Sequence, residues 1–255
     1  MKKVFASDFD GTLYFYKGET EEERLPEANV KKIKEFQDAG GYFGLCTGRQ
    51  VGGLTPFIGG KIECDFMITS TGSNIIDREG KGIRRLEVDR KIISEIVKEV
   101  RPRGNRISID IDGVINVFEE MDYPGEYNVI RGDFDKEAPA GMIHGVGIHC
   151  ETVEEAQALT DEINEKFGYG LNAFRNVIEV DIAPKGTSKG EAVRVLREYF
   201  GDCKVYGIGD SMNDLPLLEA SDVSYTFPYA PEEVQKKATK VVPTIVDALE
   251  DCMND

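Results

Sequence analysis

Four short polar motifs constrain this chain more than any other feature. Three of them end apolar runs at residues 3–7, 42–46 and 204–208, and the remaining one opens a helical pattern. The motifs are Asp8-Phe9-Asp10-Gly11-Thr12, Thr47-Gly48-Arg49, Ser188-Lys189-Gly190 and Gly209-Asp210-Ser211-Met212-Asn213-Asp214. Short apolar runs of this kind predict buried strands. Because parallel sheets bind ligands at the carboxyl ends of their strands, we expect the motifs to gather at one edge of a sheet.

The order of the predicted elements indicates the fold class. Strands and helices alternate up to residue 69 and again after Pro184, which predicts a parallel sheet with right-handed crossovers. Hairpin signals and amphipathic helices interrupt this alternation in between. We therefore predict an α/β chain with a three-layer, Rossmann-like parallel-sheet core at residues 1–82 and 184–255. An α+β cap domain at residues 83–183 is inserted into that core.

Charge and hydropathy narrow the range of partners. The 255 residues include 31 Lys and Arg against 47 Asp and Glu, a formal net charge of −16. Such an acidic surface repels phosphate backbones and anionic lipid, so we expect neither nucleic acid nor a membrane as a partner. The N-terminus lacks the apolar run of a signal peptide, and no apolar segment is long enough to span a bilayer. We expect a cytoplasmic monomer or weak homodimer.

Several residues with chemical potential are interpreted as structural. The five cysteines are widely spaced with no CxxC pair, so we expect neither a disulfide framework nor a zinc site. His144 and His149 lie in an apolar, Gly-rich stretch and are predicted to be strand residues. The segment Asp110-Ile111-Asp112-Gly113 has the same spacing as the first motif but lies between two predicted hairpin strands, so we interpret it as a turn. The acidic stretch 17–24 is predicted to be a solvated loop.

The aspartates of the motifs predict a cation site. The side chains are those of Asp8, Asp10, Asp210 and Asp214. Carboxylates close together raise one another's pKa, and a divalent cation removes that conflict. Magnesium prefers oxygen ligands and keeps some of its waters, whereas zinc would more often bring His or Cys. We therefore expect Mg²⁺ as the cofactor.

The remaining motif residues predict a site for a phosphoryl group. Thr47 offers a hydroxyl, Lys189 offers a positive charge, and helix starts add backbone N–H donors. An aspartate that faces a phosphoryl group held in this way can attack it, while a second aspartate transfers protons. Lys185 is an alternative to Lys189, but the Lys-Gly pair that opens a helix favours Lys189.

At this point the chain resembles the haloacid dehalogenase superfamily of phosphohydrolases, and its insertion resembles the cap of subfamily IIB, which includes the Cof-type sugar phosphatases. The resemblance rests on the four motifs and covers the core from end to end. It implies magnesium-dependent hydrolysis of phosphate monoesters, among which sugar phosphates are expected, through an aspartyl-phosphate intermediate. It also implies that Asp8 is the nucleophile and Asp10 the general acid and base. It implies that Thr47, Gly48 and Lys189 bind phosphate and that Asn213 contacts phosphate or substrate. The magnesium ligands that it implies are Asp8, the Asp10 carbonyl and Asp210, with Asp214 either a direct ligand or a support for one.

Two alternatives to a phosphatase stay open, and a third is disfavoured by the residues. A phosphomutase of the same subfamily has this architecture, and a non-enzymatic module that binds a phosphate ligand would have it too. Halide removal is disfavoured because it needs neither the metal nor an acid at Asp10.

The chain departs from the family pattern at Tyr229, where Cof-type members usually carry Asn. Substrate choice is expected to depend on the cap, with possible contacts from its loop residues Asp122, Tyr123, Tyr127, Asn172, Arg175 and Asn176.

Overall fold

The structure, a computed structural model, describes residues 1–122 and 125–255. The strands are β1 (Lys2–Ser7), β2 (Tyr42–Cys46), β3 (Phe66–Thr69), β4 (Asn74–Asp77), β5 (Gly82–Arg85), β6 (Arg106–Ile111), β7 (Val114–Val117), β8 (Tyr127–Val129), β9 (Ile143–His149), β10 (Leu171–Asn176), β11 (Glu179–Pro184), β12 (Cys203–Ile208), β13 (Val223–Thr226) and β14 (Lys240–Val241). The helices are α1 (Glu21–Arg24), α2 (Glu27–Asp38), α3 (Thr55–Ile58), α4 (Arg90–Val100), α5 (Phe134–Glu137), α6 (Val153–Phe167), α7 (Lys189–Phe200), α8 (Leu215–Ala220), α9 (Glu232–Lys237) and α10 (Ile245–Asn254).

The first sheet forms the core. Among the described residues it has eight strands in the order β14-β13-β12-β1-β2-β3-β4-β5. The six strands from β14 to β3 are parallel, and β4 and β5 continue the sheet as an antiparallel hairpin. The return of the chain to β12, beside β1, brings the first and last motifs together. The predicted parallel sheet is therefore confirmed.

Helices cover both faces of the core sheet, which gives three layers. On one face, Phe5 stacks with Phe43, Tyr206 and Tyr225 at ring-centroid distances of 6.0–6.5 Å. Residues of α2 and α10 close over this aromatic layer, while those of α7 and α8 pack on the opposite face against Val4, Cys46 and Ile68 among others. These buried apolar faces are the main source of stability, at roughly 25 cal/mol per Å² of apolar surface removed from water.

The second sheet forms the cap. Its order is β10-β11-β9-β6-β7-β8, and only the β7–β8 pair is parallel. One face is apolar and packs against α4 and α6, with Ile107, Ile109 and Ile148 in that cluster. Successive side chains of a strand point to opposite faces of the sheet, so the other face carries the intervening polar residues and glycines. The cap thus has one packed face and one face that is free to contact a ligand.

The sheets show where the chain passes between core and cap. Strand β5 pairs with β4 in the core sheet, so the predicted boundary between residues 82 and 83 falls inside a strand. We propose to place the boundary after Arg85 instead. At the other end β11 reaches Pro184 and α7 begins at Lys189, on either side of the predicted boundary.

Some local predictions were wrong. The acidic stretch 17–24 contains the one-turn helix α1, because Thr20 and Glu23 form a reciprocal capping box. The alternation of strands and helices predicts one short helix near residues 50–58, but this segment forms a 3₁₀ turn at Val51–Gly53 followed by the short α3, a break that agrees with the low helix propensity of glycine. In the described part of the chain, no helix is both long and apolar enough to cross a membrane.

Candidate active site

The carboxyl-terminal edge of the core sheet carries three of the four motifs. Asp8 follows β1, Thr47 follows β2, and Gly209 follows β12. These strands are direct neighbours in the parallel sheet, in the order β12-β1-β2. Parallel pairing places their carboxyl ends side by side. The motifs therefore meet because of the strand order, as the sequence predicted.

Lys189 lies at the centre of the site. It is the first residue of α7 and is 1% exposed. Its Nζ donates to Asp8 Oδ1 at 2.7 Å and to Asp214 Oδ1 at 2.5 Å. Burial opposes its charge, but the carboxylates of Asp214 and Asp8 raise the pKa of Lys189 well above its usual value. Lys185 lies on an exposed turn instead, so the structure brings Lys189 rather than Lys185 to the aspartates.

Three carboxylates meet beside this lysine. Oxygens of Asp8, Asp210 and Asp214 lie within 4.8 Å of one another. Burial, followed by the charge of Asp214, raises the pKa of Asp8 well above its usual range and that of Asp210 to about 6. Three carboxylates and one ammonium leave a formal charge of −2, which a divalent cation would cancel. The donors are oxygen atoms, the ligands that Mg²⁺ prefers, so the residues fit the predicted ion.

The members of this cluster differ in how many of their oxygens are engaged. Asp214 accepts from Lys189 through Oδ1 and from the backbone N–H groups of Asp210 and Ser211 through Oδ2, at 3.1 and 3.0 Å. Asp210 accepts from the Thr12 hydroxyl at 2.8 Å through Oδ1. Asp214 thus holds both the lysine and the loop, while Asp210 keeps an oxygen available.

Asp10 points away from this cluster. Its Oδ2 accepts from Arg49 Nε at 2.7 Å, and Arg49 also donates to the Gly53 carbonyl and to the Tyr16 hydroxyl. Oδ1 of Asp10 is buried with no hydrogen-bond partner in the described part of the chain. The Asp10 side chain is thus held by Arg49 and is not a member of the cluster of Asp8, Asp210 and Asp214. Sequence reasoning missed the Asp10–Arg49 pair, although Arg49 lies in a motif.

The remaining predicted residues line a cavity between core and cap. Its volume is about 520 Å³, and its walls include Asp8, Asp10, Thr47, Gly48 and Asn213. Thr47 is buried, and its hydroxyl oxygen accepts from the backbone N–H of Arg49 at 3.1 Å. The Asn213 side chain accepts from the Ser211 hydroxyl at 2.5 Å. The structure thus places the predicted phosphate residues on one wall.

The cap supplies the opposite wall, mostly with residues that the sequence did not single out. They include Ser108, Gly147, Asn176, Glu179 and Asp181, of which only Asn176 was predicted. Asp181 lies so close to the core that a Cβ added at Gly48 would be 2.7 Å from its Oδ2. A larger residue at position 48 would therefore push the Asp181 carboxylate away from the core. Burial and the nearby Glu179 raise the pKa of Asp181 to about 6.

The other cap candidates have different surroundings. Arg175 donates to Gln157 and to the carbonyl of Val177. Tyr127 donates to Glu120 and to the carbonyl of Met121, and Asn172 lies beside Thr187. Asp122 lines a second cavity, whereas Tyr123 falls outside the residues that the structure describes. None of the described four lines the catalytic cavity.

Core and cap are joined by buried hydrogen bonds next to the cavity. The Ser70 hydroxyl donates to Asp110 Oδ2 at 2.5 Å, and that of Ser73 donates to the carbonyl of His144 at 2.5 Å. His144 Nδ1 lies 2.7 Å from the Leu86 carbonyl. Asp110 also accepts from the backbone N–H of Gly113, so the turn that the sequence predicted there contributes to this junction as well.

Tyr229, the residue that departs from the family pattern, has a specific contact. Its hydroxyl donates to the carbonyl of Gly11 at 2.7 Å, and its ring stacks on Phe227 at 4.8 Å. Gly11 has a φ of +81°, and a Cβ there would lie 2.7 Å from Asp210 Oδ2, so this loop needs glycine. Tyr229 therefore supports the loop that carries Asp10 and Thr12.

Two named relatives resemble this chain over most of its length. One is an HMP-PP phosphatase of Citrobacter koseri, 24% identical over 233 residues that cover 86% of this chain and 82% of that protein. Another is a glucosyl-3-phosphoglycerate/mannosyl-3-phosphoglycerate phosphatase of Methanococcoides burtonii, 25% identical over 271 residues, covering 96% and 89%.

Solved structures show the same fold. A haloacid dehalogenase-like hydrolase from Bacteroides thetaiotaomicron superposes with a TM-score of 0.82 at 19% identity, covering 98% of this chain and 99% of that one. A sugar phosphatase of subclass IIB superposes with a TM-score of 0.80 at 17% identity, covering 98% of both chains. The model of the haloacid dehalogenase-like hydrolase family matches residues 5–248. The chain therefore belongs to the haloacid dehalogenase-like hydrolases, and the predictions of a Cof-type phosphatase of this superfamily and of its α/β fold are confirmed.

Proposed function

We propose that this protein is a magnesium-dependent phosphatase that hydrolyses sugar phosphates through a phosphorylated Asp8. The observation that carries the proposal is the buried cluster of Asp8, Lys189 and Asp214, with Asp210 beside it, in which Asp8 lines the cavity. We propose that Asp8, Asp210 and the Asp10 carbonyl hold Mg²⁺, with Asp214 supporting them. When bound, the ion would stabilise negative charge on the phosphoryl oxygens.

Asp8 is the residue proposed to attack the substrate. One of its oxygens is held by Lys189, which fixes the carboxylate and leaves the other oxygen to approach phosphorus. The Asp8–phosphorus bond forms as the bond from phosphorus to the ester oxygen breaks. Thr47, Gly48 and Asn213 are proposed to hold the phosphoryl oxygens, since all three line the cavity next to Asp8. Fixed donors of this kind stabilise transition-state charge without having to reorganise.

Asp10 is proposed to move the protons. Asp10 lines the cavity near Asp8, so its carboxyl group can carry a proton to the departing ester oxygen and later take one from the attacking water. That water attacks phosphorus, releases inorganic phosphate and restores Asp8. Arg49 holds the opposite oxygen of Asp10 and is therefore a positioning residue.

The cap wall favours a leaving group with hydroxyl groups and no second anion. Among the described residues, Arg49 is the one cationic side chain that lines the cavity, and it is already paired with Asp10. Glu179 and Asp181 add negative charge on the cap side. Carboxylates and amides accept hydrogen bonds from hydroxyl groups, while a second phosphate would be repelled. One structural relative is named as a sugar phosphatase, which agrees with a leaving group that carries hydroxyl groups.

The test is phosphate release from a panel of sugar phosphates and nucleotides, with Mg²⁺ and then with excess EDTA. We expect magnesium-dependent release by the wild type and a loss of at least about 10³-fold in the Asp8→Asn variant, because the nucleophile is removed. Circular dichroism of the variant controls for folding. Release that persists in Asp8→Asn would contradict the proposal. Phosphoryl exchange between sugars without net release would point to the phosphomutase alternative.

A further inference from the structure

The polar face of the cap sheet extends beyond the catalytic cavity. Pairing across β6, β9 and β11 puts Ser108, Gly147 and Asp181 side by side; we call these three the near row. Two residues further along the same strands, Arg106, His149 and Glu179 are paired in the same way; we call these the far row. Directly paired residues, and residues two positions apart on a strand, share one face of the sheet. Both rows therefore lie on the face turned away from α4 and α6.

The surface between the rows is low because β9 is rich in glycine. Gly145 and Gly147 have no side chains, and Ser108, beside Gly147 in the near row, has only a small one. A Cβ added at Gly147 would lie 2.9 Å from the Ser108 hydroxyl oxygen, so a larger residue there would have to displace the Ser108 side chain. The surface is therefore low where β6 and β9 carry the near row.

A second cavity begins where the catalytic cavity ends. Its volume is about 510 Å³, and all three far-row residues line it. Ser108, Gly147 and Glu179 line both cavities. The two cavities therefore adjoin along these residues, and a molecule whose phosphate lies at Asp8 could extend from one cavity into the other.

The far row has the chemistry to bind hydroxyl groups. His149 Nδ1 and Glu179 Oε1 are 2.5 Å apart, and their side chains are 24% and 41% exposed, so both are accessible from the cavity. Arg106 is exposed, and its guanidinium group forms no hydrogen bond or ion pair with any residue that the structure describes. A guanidinium, an imidazole and a carboxylate together offer both donors and acceptors, which suits a polyhydroxylated ring.

The spacing of the rows sets the length of the ligand. Two residues along a strand span about 7 Å. Asp181 in the near row lies next to Gly48, hence close to the phosphoryl site, and the far row lies about one such step beyond it. A leaving group that contacts both rows needs a second ring-sized unit beyond the one that carries the phosphate.

We propose that the far row is a second sugar subsite, and that the preferred substrates are phosphate monoesters of disaccharides. The proposal rests on the proposed function and extends it from the phosphoryl group to the distal end of the leaving group. Arg106 and His149 would donate hydrogen bonds to hydroxyl groups of the second ring, and Glu179 would accept one.

The test compares glucose 6-phosphate with the 6-phosphates of maltose, cellobiose and trehalose, which keep the same reacting unit and add a second ring. We expect kcat/KM to be at least about 10-fold higher for one or more of the disaccharide phosphates, as a few added hydrogen bonds allow. His149→Ala and Arg106→Ala should remove that preference and change kcat/KM for glucose 6-phosphate less than about 2-fold. Arg103→Ala, an arginine of the same domain that pairs with Glu162 and lines neither cavity, is the matched control and should change neither value.

Two outcomes would overturn the proposal while leaving the proposed function intact. One is Asp8-dependent release from glucose 6-phosphate with no gain for any disaccharide phosphate. Another is an equal loss for short and long substrates in His149→Ala. If no ester is hydrolysed, the proposed function fails, and the subsite is then tested by titrating the disaccharide phosphates into Asp8→Asn and Asp8→Asn/His149→Ala. Equal affinities of these two variants would overturn the subsite.

Discussion

The two walls of the catalytic cavity are built differently. Directly behind the core wall, charged groups are buried: Lys189 and Asp214 are 1% and 0% exposed and are bonded to each other, and Lys189 also binds Asp8, which lines the cavity. On the cap wall, Asp181 and Glu179 line the cavity and are only partly buried. Buried ion pairs leave few alternative arrangements, because an unpaired charge there is costly. The core wall is thus suited to one reaction, whereas the cap wall can change with the substrate at little cost in stability.

The largest expected effect follows from breaking the core wall at Lys189. Lys189→Met leaves Asp8 and Asp214 buried without their counter-ion. We expect the free energy of unfolding to fall by about 3–5 kcal/mol and phosphatase activity to be lost. Urea unfolding and phosphate release measure the two effects. Lys185→Met, on the exposed turn nearby, is the control, and a comparable loss there would contradict the role of Lys189.

The next effect concerns the positioning of Asp10. Arg49→Gln removes the donor that holds Asp10 Oδ2 but leaves the buried cluster intact. We expect kcat to fall by about 10–100-fold with a smaller change in KM, because Asp10 loses its orientation rather than its chemistry. Steady-state kinetics measure the two constants. A rise in KM with kcat unchanged would instead show that Arg49 binds the substrate.

Metal binding tests the carboxylate cluster against an aspartate outside it. Asp210→Asn removes a carboxylate of the cluster, so we expect Mg²⁺ to bind at least about 10-fold more weakly than to the wild type. Asp112→Asn alters the Asp110–Gly113 turn of the cap, which lies outside the cluster, and should leave the affinity unchanged. Calorimetric titration gives the affinities, and the shift of Tm with Mg²⁺ gives an independent check. Equal affinities for both variants would remove Asp210 from the metal site.

The smallest effect is expected on the cap wall, at Asp181. Its pKa is raised from 3.8 to about 6 by burial and by Glu179, so the folded protein binds the proton more tightly than the unfolded chain. Its contribution to stability is therefore present below about pH 4 and is lost as pH rises toward 6.

Asparagine does not titrate, so Asp181→Asn should gain stability relative to the wild type across this window. We expect a difference of about 1–2 kcal/mol at pH 7 that vanishes near pH 4. Urea unfolding at several pH values measures this difference in stability. The control is Glu154→Gln, a substitution at an exposed surface residue. A difference that does not vary with pH would contradict the raised pKa.

The sequence predicted the residues of the core site because they lie in contiguous motifs. Asp8 and Asp210 could be predicted, since parallel strand order brings the strand ends together, and Lys189 could be predicted from the Lys-Gly pair that opens a helix. The same reasoning failed where contacts depend on side-chain direction. The bond from Arg49 to Asp10 and the bonds of both Asp214 oxygens are examples, since no local pattern specifies them.

The cap wall could not be predicted for a different reason. Asp181, Ser108 and Gly147 come from three separate strands and meet only through their register. A shift of one residue in any of these strands would turn its side chains to the opposite face. Of the candidates proposed from loops, Asn176 lines the catalytic cavity and Asp122 lines the second cavity, while most other cap residues that line the catalytic cavity lie on strands. The small elements α1, β8 and β14 were missed because two to four residues carry little periodicity.

The account rests most directly on Asp8 as the residue that carries the phosphoryl group. The decisive measurement is mass spectrometry of peptides from an acid-quenched reaction of the Asp10→Asn variant, in which removal of the phosphoryl group from the enzyme should be slowed. We predict a phosphoryl adduct on Asp8 that depends on Mg²⁺ and on substrate and is absent in Asp8→Asn/Asp10→Asn. An adduct on another residue, or persistent turnover with unmodified Asp8 in every quenched sample, would contradict the account.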